Sequence, residues 1–413
     1  MDHQAREVGV KGERPKIKAI QGLRAISVLS VIFFDAGFSW LPGGFIGVDI
    51  FFVLSGFMVT QMIVAEIHSS ERFDFRRFYA KRIRRLVPTS ILVVIACISV
   101  GRHLLPAERL RGLGWDSITS ALYATNYRAY FSGMNYLQPG FSPSILTHYW
   151  ALAVEGQIFL IWPVLILVGY RLRKSAGITV ALTFALIGSF VYDYLTTPSH
   201  PALAYFSTFS RAWEFAIGAV TFLYLSHFNN VPERLDPLFA WGGIIVILYC
   251  TTYQSVEQYL SNTAPIPELL AVFGTVFILI GSYNGRFLFS FLISNPLLYG
   301  IGEISYCLYL WHWPIYFLMQ RVLDRAPGGV LLFLYFILTF FFSIATFIFV
   351  ERPIRNYNRL GLKPAYSFVW GGVATAIAIG AAIGLLGWNI HEMHFGSHRS
   401  PSIAPTPSIM NPT

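Results

Sequence analysis

The chain has 413 residues, of which 55% are apolar and 12% charged, and its mean hydropathy is +0.55. Soluble domains carry about 25% charged residues, so this composition excludes an ordinary soluble protein and indicates a polytopic membrane protein. The net charge of +9 would suit a nucleic-acid-binding protein, but its basic residues lie in loops between apolar segments, so we expect no nucleic-acid partner. The three cysteines lie in apolar runs without CxxC or Cys/His spacing, which argues against disulfides and a metal site.

Eleven apolar stretches approach the length that crosses a bilayer, about 20 residues. They predict an all-α polytopic fold with eleven transmembrane helices, near 19–38, 44–66, 88–105, 148–169, 176–195, 211–226, 237–252, 268–283, 298–319, 328–350 and 365–388. With the N-terminus inside, the cytoplasmic loops carry 21 Lys and Arg residues and the opposite loops carry 6. Because positive loops stay in the cytoplasm, we expect a cytoplasmic N-terminus and an extracytoplasmic C-terminus.

This topology divides the chain into four parts. They are a cytoplasmic segment 1–18, a ten-helix membrane domain 19–356, a connecting loop with the eleventh helix 357–388, and an extracytoplasmic Pro/Ser-rich tail or linker 389–413. The stretch 113–130 could be a further membrane span or a helix outside the membrane. If it crossed the membrane, the basic loops that follow it would lie on the extracytoplasmic side. We interpret it as an interfacial or re-entrant helix in an external loop, and a lid without chemical function is the alternative.

The first two apolar helices carry three ionisable side chains: Arg24, Asp35 and Asp49. A charge inside a membrane-spanning stretch is costly unless it is paired or hydrated, so it marks a functional site by default. Arg24 and Asp35 are separated by three helical turns, about 16 Å along one face. This places a cation near one membrane surface and a carboxylate beyond the midplane. A polar pair that only fixes helix packing is the alternative.

A dense basic strip, FDFRRFYAKRIRRLVP, leads from the first cytoplasmic loop into the third helix. Such clusters commonly anchor topology and contact anionic lipids. The second interpretation is a phosphate cradle, because Arg82 and Arg85 are three residues apart on one helix face and arginine binds phosphate bidentately.

Four polar side chains from different helices fall at a similar depth in the outer half of the membrane. Glu155 lies about two turns below His148 on the fourth helix, where it could meet Asp35, and Arg211 and His312 enter from the sixth and ninth helices. Each alone could be a satisfied core residue or a local salt bridge. Their convergence favours a site at which protons are transferred.

Together these stretches resemble the acyltransferase-3 family over about residues 18–356. The matching motifs are QGLRAISVLSVIFF, GGFIGVDIFFVLSGF, RIRRLVP, HYWALAVEGQIFLIWP, ISYCLYLWHWPI and ERPIR. Similar proteins of bacterial plasma membranes move an acyl group, usually acetyl, from cytoplasmic acyl-CoA to a hydroxyl of an extracytoplasmic glycan or glycolipid. One branch adds an eleventh helix, a linker and an external SGNH hydrolase-like domain; the last helix and tail resemble that branch, and these 413 residues contain no such domain.

The resemblance, joined to the residue pattern, implies three sets of site residues. The catalytic candidates are Asp35, Arg24 and Glu155. The acyl-CoA-binding candidates are Lys81, Arg82, Arg84 and Arg85. The acceptor-site candidates are Asp49, His148, Trp150, Arg211, Glu214, Ser305, Tyr306 and His312. Membrane lipids and an SGNH-type domain or protein on the outer side are the other expected partners.

The chain departs from the family pattern at position 35, where an Arg, ten residues and a His are expected on the first helix. Arg24 matches the arginine, but Asp35 occupies the histidine position. An ionised carboxylate would oppose an oxyanion, so we expect acyl-CoA binding with slow or absent turnover, restored by Asp35→His. A transporter or flippase of a lipid-linked sugar and a noncatalytic relative are the alternatives, because buried charges also line transport paths.

Overall fold

The computed structural model describes residues 13–131, 144–225, 235–254, 266–282, 295–357 and 363–395. Throughout these ranges the ordered elements are helices, and no strand occurs in them. The predicted all-α class is therefore confirmed for this part of the chain. The predicted segment 1–18 is described only from residue 13, and most of the tail 389–413 lies outside the described residues.

Fifteen α-helices follow one another in the described ranges. They are α1 (Glu13–Asp35), α2 (Gly47–Ser70), α3 (Phe75–Leu104), α4 (Ala107–Ala121), α5 (Thr125–Phe131), α6 (Tyr149–Thr196), α7 (Pro201–Phe206), α8 (Thr208–Tyr224), α9 (Asp236–Tyr253), α10 (Ile266–Gly281), α11 (Pro296–Glu303), α12 (Ser305–Leu323), α13 (Val330–Thr346), α14 (Arg352–Asn356) and α15 (Pro364–Phe395). A 3₁₀ turn, Gly44–Ile46, precedes α2, and a π-helical turn, Phe347–Glu351, joins α13 to α14.

Ten of the eleven predicted apolar stretches overlap one of these helices or half of one, whereas the predicted stretch 298–319 is divided between α11 and α12 at Ile304. Within the described residues, six helices are long and apolar enough to cross a membrane: the continuous stretch 44–70, α3, α6, α9, the stretch 330–356 and α15 up to residue 388. The chain is therefore a multi-pass membrane protein. The remaining helices are shorter or more polar than that criterion allows.

Helix α6 is two arms joined by a reversal. As one straight helix its 48 residues would extend about 72 Å, more than twice the hydrocarbon thickness. The backbone leaves helical geometry at Arg173 and Lys174, between the predicted stretches 148–169 and 176–195. The arms then pack so closely that a Cβ at Gly177 would lie 1.9 Å from the carbonyl oxygen of Gly169. The fourth and fifth apolar stretches are thus antiparallel neighbours.

The third helix begins earlier than the predicted start at residue 88. Helix α3 starts at Phe75 because the Asp74 carboxylate accepts a hydrogen bond from the Arg77 backbone N–H at 3.0 Å, an N-terminal cap. Pro88 is accommodated inside the helix. The basic strip is consequently helical, and its arginines have fixed faces.

The predicted single helix at 113–130 is two short helices, α4 and α5, separated by a turn. An ion pair between Asp116 and Arg128 joins them. Helix α15 covers α4 and the adjacent face of α3, and Leu113, Ala378 and Ala382 belong to the same buried apolar cluster. Helix α15 therefore packs against both α3 and α4.

Helices α2 and α8 approach closely through small residues and thereby set the position of the central polar side chains. A Cβ at Gly56 would lie 2.0 Å from the Phe215 carbonyl oxygen, so only glycine permits this contact. Phe52 stacks on Phe215 with ring centroids 4.7 Å apart. This close packing brings Asp49 of α2 against Arg211 of α8.

Candidate functional site

Asp35 and His312 form a buried pair at the end of α1. The Oδ2 atom of Asp35 lies 3.0 Å from Nε2 of His312, and their side chains are 3% and 0% exposed. The other imidazole nitrogen, Nδ1, lies 2.5 Å from the backbone oxygen of Tyr309. Because a carbonyl oxygen can only accept a hydrogen bond, Nδ1 of His312 carries a hydrogen. The hydrogen bond between Nε2 of His312 and the Asp35 carboxylate needs one further proton, which these two groups share.

His148 lies beside this pair, immediately before α6. Its imidazole ring centroid is 5.5 Å from that of His312, and the residue is buried. Nε2 of His148 lies 3.1 Å from the carbonyl oxygen of Leu310, and the Tyr309 hydroxyl donates to the His148 carbonyl at 2.8 Å. The ring therefore has a fixed orientation between α6 and α12.

A cavity of about 30 Å³ lies along α1 between Arg24 and Asp35. The polar side chains among its lining residues are those of Ser27, Glu155, Ser305, Tyr306 and Tyr309. Glu155 accepts a hydrogen bond from the Ser55 hydroxyl at 2.7 Å, and Tyr306 donates to the Leu86 carbonyl at 2.8 Å. A cavity of this size holds one or two water molecules.

Arg24 is buried with most of its hydrogen-bonding capacity unused. It is 3% exposed, and its one hydrogen bond within the structure joins Nη1 to Gln21 at 3.2 Å. Nε and Nη2 have no partner there, and the guanidinium lies 5.4 Å from the centre of the Phe51 ring. Arg85 and Glu155 are close enough to repel and to attract it, respectively. Such a group is arranged to receive an anion or a carbonyl oxygen.

The four basic candidates on α3 have different surroundings. Lys81 is exposed, and Arg82 is half-buried with its guanidinium 4.4 Å from the centre of the Phe159 ring. Arg84 is buried and donates to the Ser367 hydroxyl of α15 at 3.0 Å. Arg85 is half-buried, and its Nε has no partner in the part of the chain that the structure describes. Arg82 and Arg85 thus extend the cationic region around Arg24, whereas Arg84 ties α3 to α15.

A second polar cluster surrounds Arg211 on α8. Its Nη1 lies 2.9 Å from Glu214, 3.1 Å from Asp49 and 3.6 Å from Glu268, and all four side chains are at most 4% exposed. Trp150 packs over the same guanidinium at 6.0 Å. Three carboxylates around one guanidinium require nearby protons or cations for balance, and their mutual contacts hold α2, α8 and α10 together.

The structure brings the candidate residues into separate groups rather than one. Asp35, His148 and His312 meet, and Glu155 lies on the cavity with Ser55 as its hydrogen-bond donor. Sequence reasoning missed Glu268, although a glutamate in an otherwise apolar helix was a usable signal. It also missed the backbone carbonyls of residues 309 and 310, which nothing in the sequence marks. Within the described ranges no group of three His, Cys, Asp or Glu residues has a metal-binding arrangement.

Comparison with known proteins gives relatives along most of the chain. The family model Acyl_transf_3, described as an acyltransferase domain, matches residues 17–350. Peptidoglycan O-acetyltransferase OatA of Listeria monocytogenes is 31% identical over 86% of this chain, and the putative peptidoglycan O-acetyltransferase YrhL of Bacillus subtilis is 32% identical over 82%. A putative O-acetyltransferase of Staphylococcus aureus is 27% identical over 85%.

These relatives are longer than the region that matches. The alignment covers 59% of the Listeria protein and 55% of the Bacillus protein, so the chain spans less than two thirds of their length. No solved structure matches the chain. The family match at residues 17–350 nevertheless includes every motif described above except ERPIR, which begins at Glu351. The chain belongs to the Acyl_transf_3 family of membrane acyltransferases.

Proposed function

We propose that this protein transfers an acetyl group from cytoplasmic acetyl-CoA, or another acyl-CoA, to a hydroxyl of a cell-envelope glycan outside the plasma membrane of a bacterium. The observation that carries the proposal is the arrangement along α1. A buried arginine with unpaired donors, a cavity and a proton-sharing Asp35–His312 pair follow one another over about 16 Å. This order suits a thioester delivered from one side and an alcohol delivered from the other.

The donor binds at the cationic end of this path. Arg82 and Arg85 contact the CoA phosphates, and Lys81 lies in the same strip to assist. Arg84 supports the strip mainly through its bond to Ser367. Arg24 receives an oxygen of the pantetheine arm or the thioester on its unpaired Nε and Nη2.

The acyl arm requires the central cavity to widen. At about 30 Å³ the cavity cannot hold an acetyl-pantetheine chain, so side chains that line it must move when the donor enters. Glu155 lies on the cavity wall, where its carboxylate balances the Arg24 charge and orients the entering groups. Ser305 lies on the same wall and carries a buried hydroxyl that has no partner among the described residues, and that hydroxyl is a donor for the substrate.

The Asp35–His312 contact changes the expected effect of aspartate at position 35. A lone ionised carboxylate would oppose the oxyanion of the transition state, but His312 lies 3.0 Å away and shares a proton with it. The pair is neutral overall in either proton position, so it does not place net negative charge at the reacting centre. Its shared proton is available to the departing CoA thiolate. We therefore propose that this chain is catalytically active.

The acceptor enters from the extracytoplasmic side. The names of the relatives favour peptidoglycan as the glycan, with Tyr306, Ser305 and His148 nearest to the reacting atoms. The second polar cluster supports the acceptor region through the mutual contacts of its members, which include Trp150, Asp49, Arg211 and Glu214. Because the relatives are longer, an external SGNH-type domain or protein is proposed as a further partner on this side.

The proposed topology has eleven spans, with the N-terminus inside and the C-terminus outside. Helix α6 contributes two of them, and the positive-loop bias sets the direction. Cysteines placed at exposed Ser70 and exposed Gly328 test it on intact cells. An impermeant thiol reagent should label position 328 before lysis and position 70 only afterwards. The reverse pattern would overturn the orientation.

Purified protein incubated with radiolabelled acetyl-CoA, with and without peptidoglycan fragments, tests the function. An acetyltransferase places base-labile label on the glycan and releases CoA. A flippase moves glycan and ignores acetyl-CoA. A noncatalytic relative binds acetyl-CoA without consuming it, and either of these last two results would overturn the proposal.

A further inference from the structure

The tautomer of His148 is fixed by its contacts. Nε2 lies 3.1 Å from the Leu310 carbonyl oxygen, which can only accept, so Nε2 carries the hydrogen. Nδ1 is then an unprotonated nitrogen with an available lone pair. It is buried and has no hydrogen-bond partner among the described residues, although a buried polar atom normally has one.

His312 is arranged differently and has no comparable lone pair. Its Nδ1 donates to the Tyr309 carbonyl, and its Nε2 shares a proton with Asp35. Both nitrogens are therefore engaged. The two imidazoles lie side by side, with ring centroids 5.5 Å apart, yet only that of His148 presents an unengaged basic nitrogen.

His148 also lies next to the cavity in which the acyl group is proposed to bind. Ala151 and Leu152, one helical turn along α6, line that cavity, as does Tyr309, whose hydroxyl bonds to the His148 carbonyl. In His148 the Leu310 carbonyl accepts a hydrogen bond from Nε2 and so orients the ring, while Nδ1 has an available lone pair. This is the arrangement of a general base.

We propose that Nδ1 of His148 is the base that activates the acceptor hydroxyl, an assignment that rests on the proposed acetyl transfer. As the hydroxyl oxygen attacks the thioester carbonyl carbon, its proton moves to Nδ1. The tetrahedral intermediate then breaks its C–S bond, and the CoA sulfur leaves as thiolate. The Asp35–His312 pair donates its shared proton to that sulfur and regains one from His148. One ester and one free thiol result.

Three variants separate a base from a structural histidine. A glutamine side chain at position 148 can still donate an N–H to the Leu310 carbonyl, but it has no basic nitrogen. His148→Gln should therefore keep acetyl-CoA affinity and thermal stability while slowing single-turnover transfer at least about 100-fold. His148→Ala opens space in which added free imidazole should restore part of the transfer. The control is His103→Gln, an exposed histidine at the end of α3, which should transfer normally.

The outcomes distinguish this assignment from the proposed function. If the wild-type chain transfers acetyl and His148→Gln does so within a few-fold, the base assignment is overturned and the function stands. If the glutamine variant does not fold, imidazole decides: recovery in His148→Ala supports the base, and no recovery overturns it. A wild-type chain that transfers nothing from acetyl-CoA overturns the proposed function and this assignment together.

Discussion

Arg24 offers a prediction in which stability and function move in opposite directions. Among the described residues its guanidinium makes one hydrogen bond, to Gln21, and its buried Nε and Nη2 have no partner. Each unsatisfied buried donor costs about 1–3 kcal/mol. The hydrogen bond to Gln21 and the contact with the Phe51 ring together stabilise the folded protein by about 1–3 kcal/mol. Arg24→Met, which keeps the apolar stem, should therefore stabilise the ligand-free protein by about 1–3 kcal/mol.

The same substitution should weaken donor binding. If Nε and Nη2 each make a charge-assisted hydrogen bond to acetyl-CoA, their loss costs about 1.5–3 kcal/mol apiece. The dissociation constant should then rise at least about 100-fold. Arg102→Met is the matched control. Arg102 lies on α3, the helix of the basic strip, where it is exposed and stacks over the Trp388 ring.

Calorimetric titration of acetyl-CoA and thermal unfolding, both in the same detergent, measure the two effects. We expect Arg24→Met to unfold at a higher temperature than the wild type and to bind acetyl-CoA far more weakly, while Arg102→Met binds normally. A variant that is less stable and binds acetyl-CoA normally would refute the reasoning. Arg24 would then be a packing residue of α1.

Three further predictions concern the other charged groups. Arg82→Ala combined with Arg85→Ala should weaken acetyl-CoA binding by a few kcal/mol without unfolding the protein, measured by calorimetry, and unchanged affinity would assign the strip to topology. Asp35→Asn should slow acetyl transfer at least about tenfold because it removes the shared proton, whereas Asp35→His should retain acetyl transfer. An inactive Asp35→His variant would show that the carboxylate itself is needed. Arg211→Gln should cost about 3–5 kcal/mol of stability, but Glu214→Gln should be neutral or stabilising in thermal unfolding, and the opposite order would contradict the charge imbalance.

Hydrophobic length was sufficient to predict the helical class and the positions of most apolar helices, although the stretch 298–319 is divided between α11 and α12. The start of α3 was missed because hydrophobic length identifies only the apolar part of a helix, and the strip of six basic residues before it is polar. The signal for the true start is local: Asp74 caps the first turn. The stretch 113–130 was predicted from the topology as one interfacial or re-entrant helix. The break into α4 and α5 comes from a turn at Tyr123, whose φ is positive.

The composition of the site was more predictable than its pairings. Depth along each helix follows from residue number, and it correctly suggested that Asp35 and His312 would lie at one level. Rotation about each helix axis and the lateral order of helices do not follow from one sequence. Asp35 was therefore expected near Glu155, but its partner in the structure is His312, and the partner of Arg84 on α15 could not be foreseen.

The central claim is that acetyl crosses from a cytoplasmic donor to an external glycan through this one chain. Inside-out membrane vesicles containing the protein present the cytoplasmic face outward, and peptidoglycan fragments can be sealed within them. Radiolabelled acetyl-CoA added outside should yield base-labile acetyl esters on the enclosed glycan, and vesicles with Arg24→Met should yield far fewer. Labelling that requires acetyl-CoA inside the vesicles together with the glycan, or no labelling at all, would contradict the account.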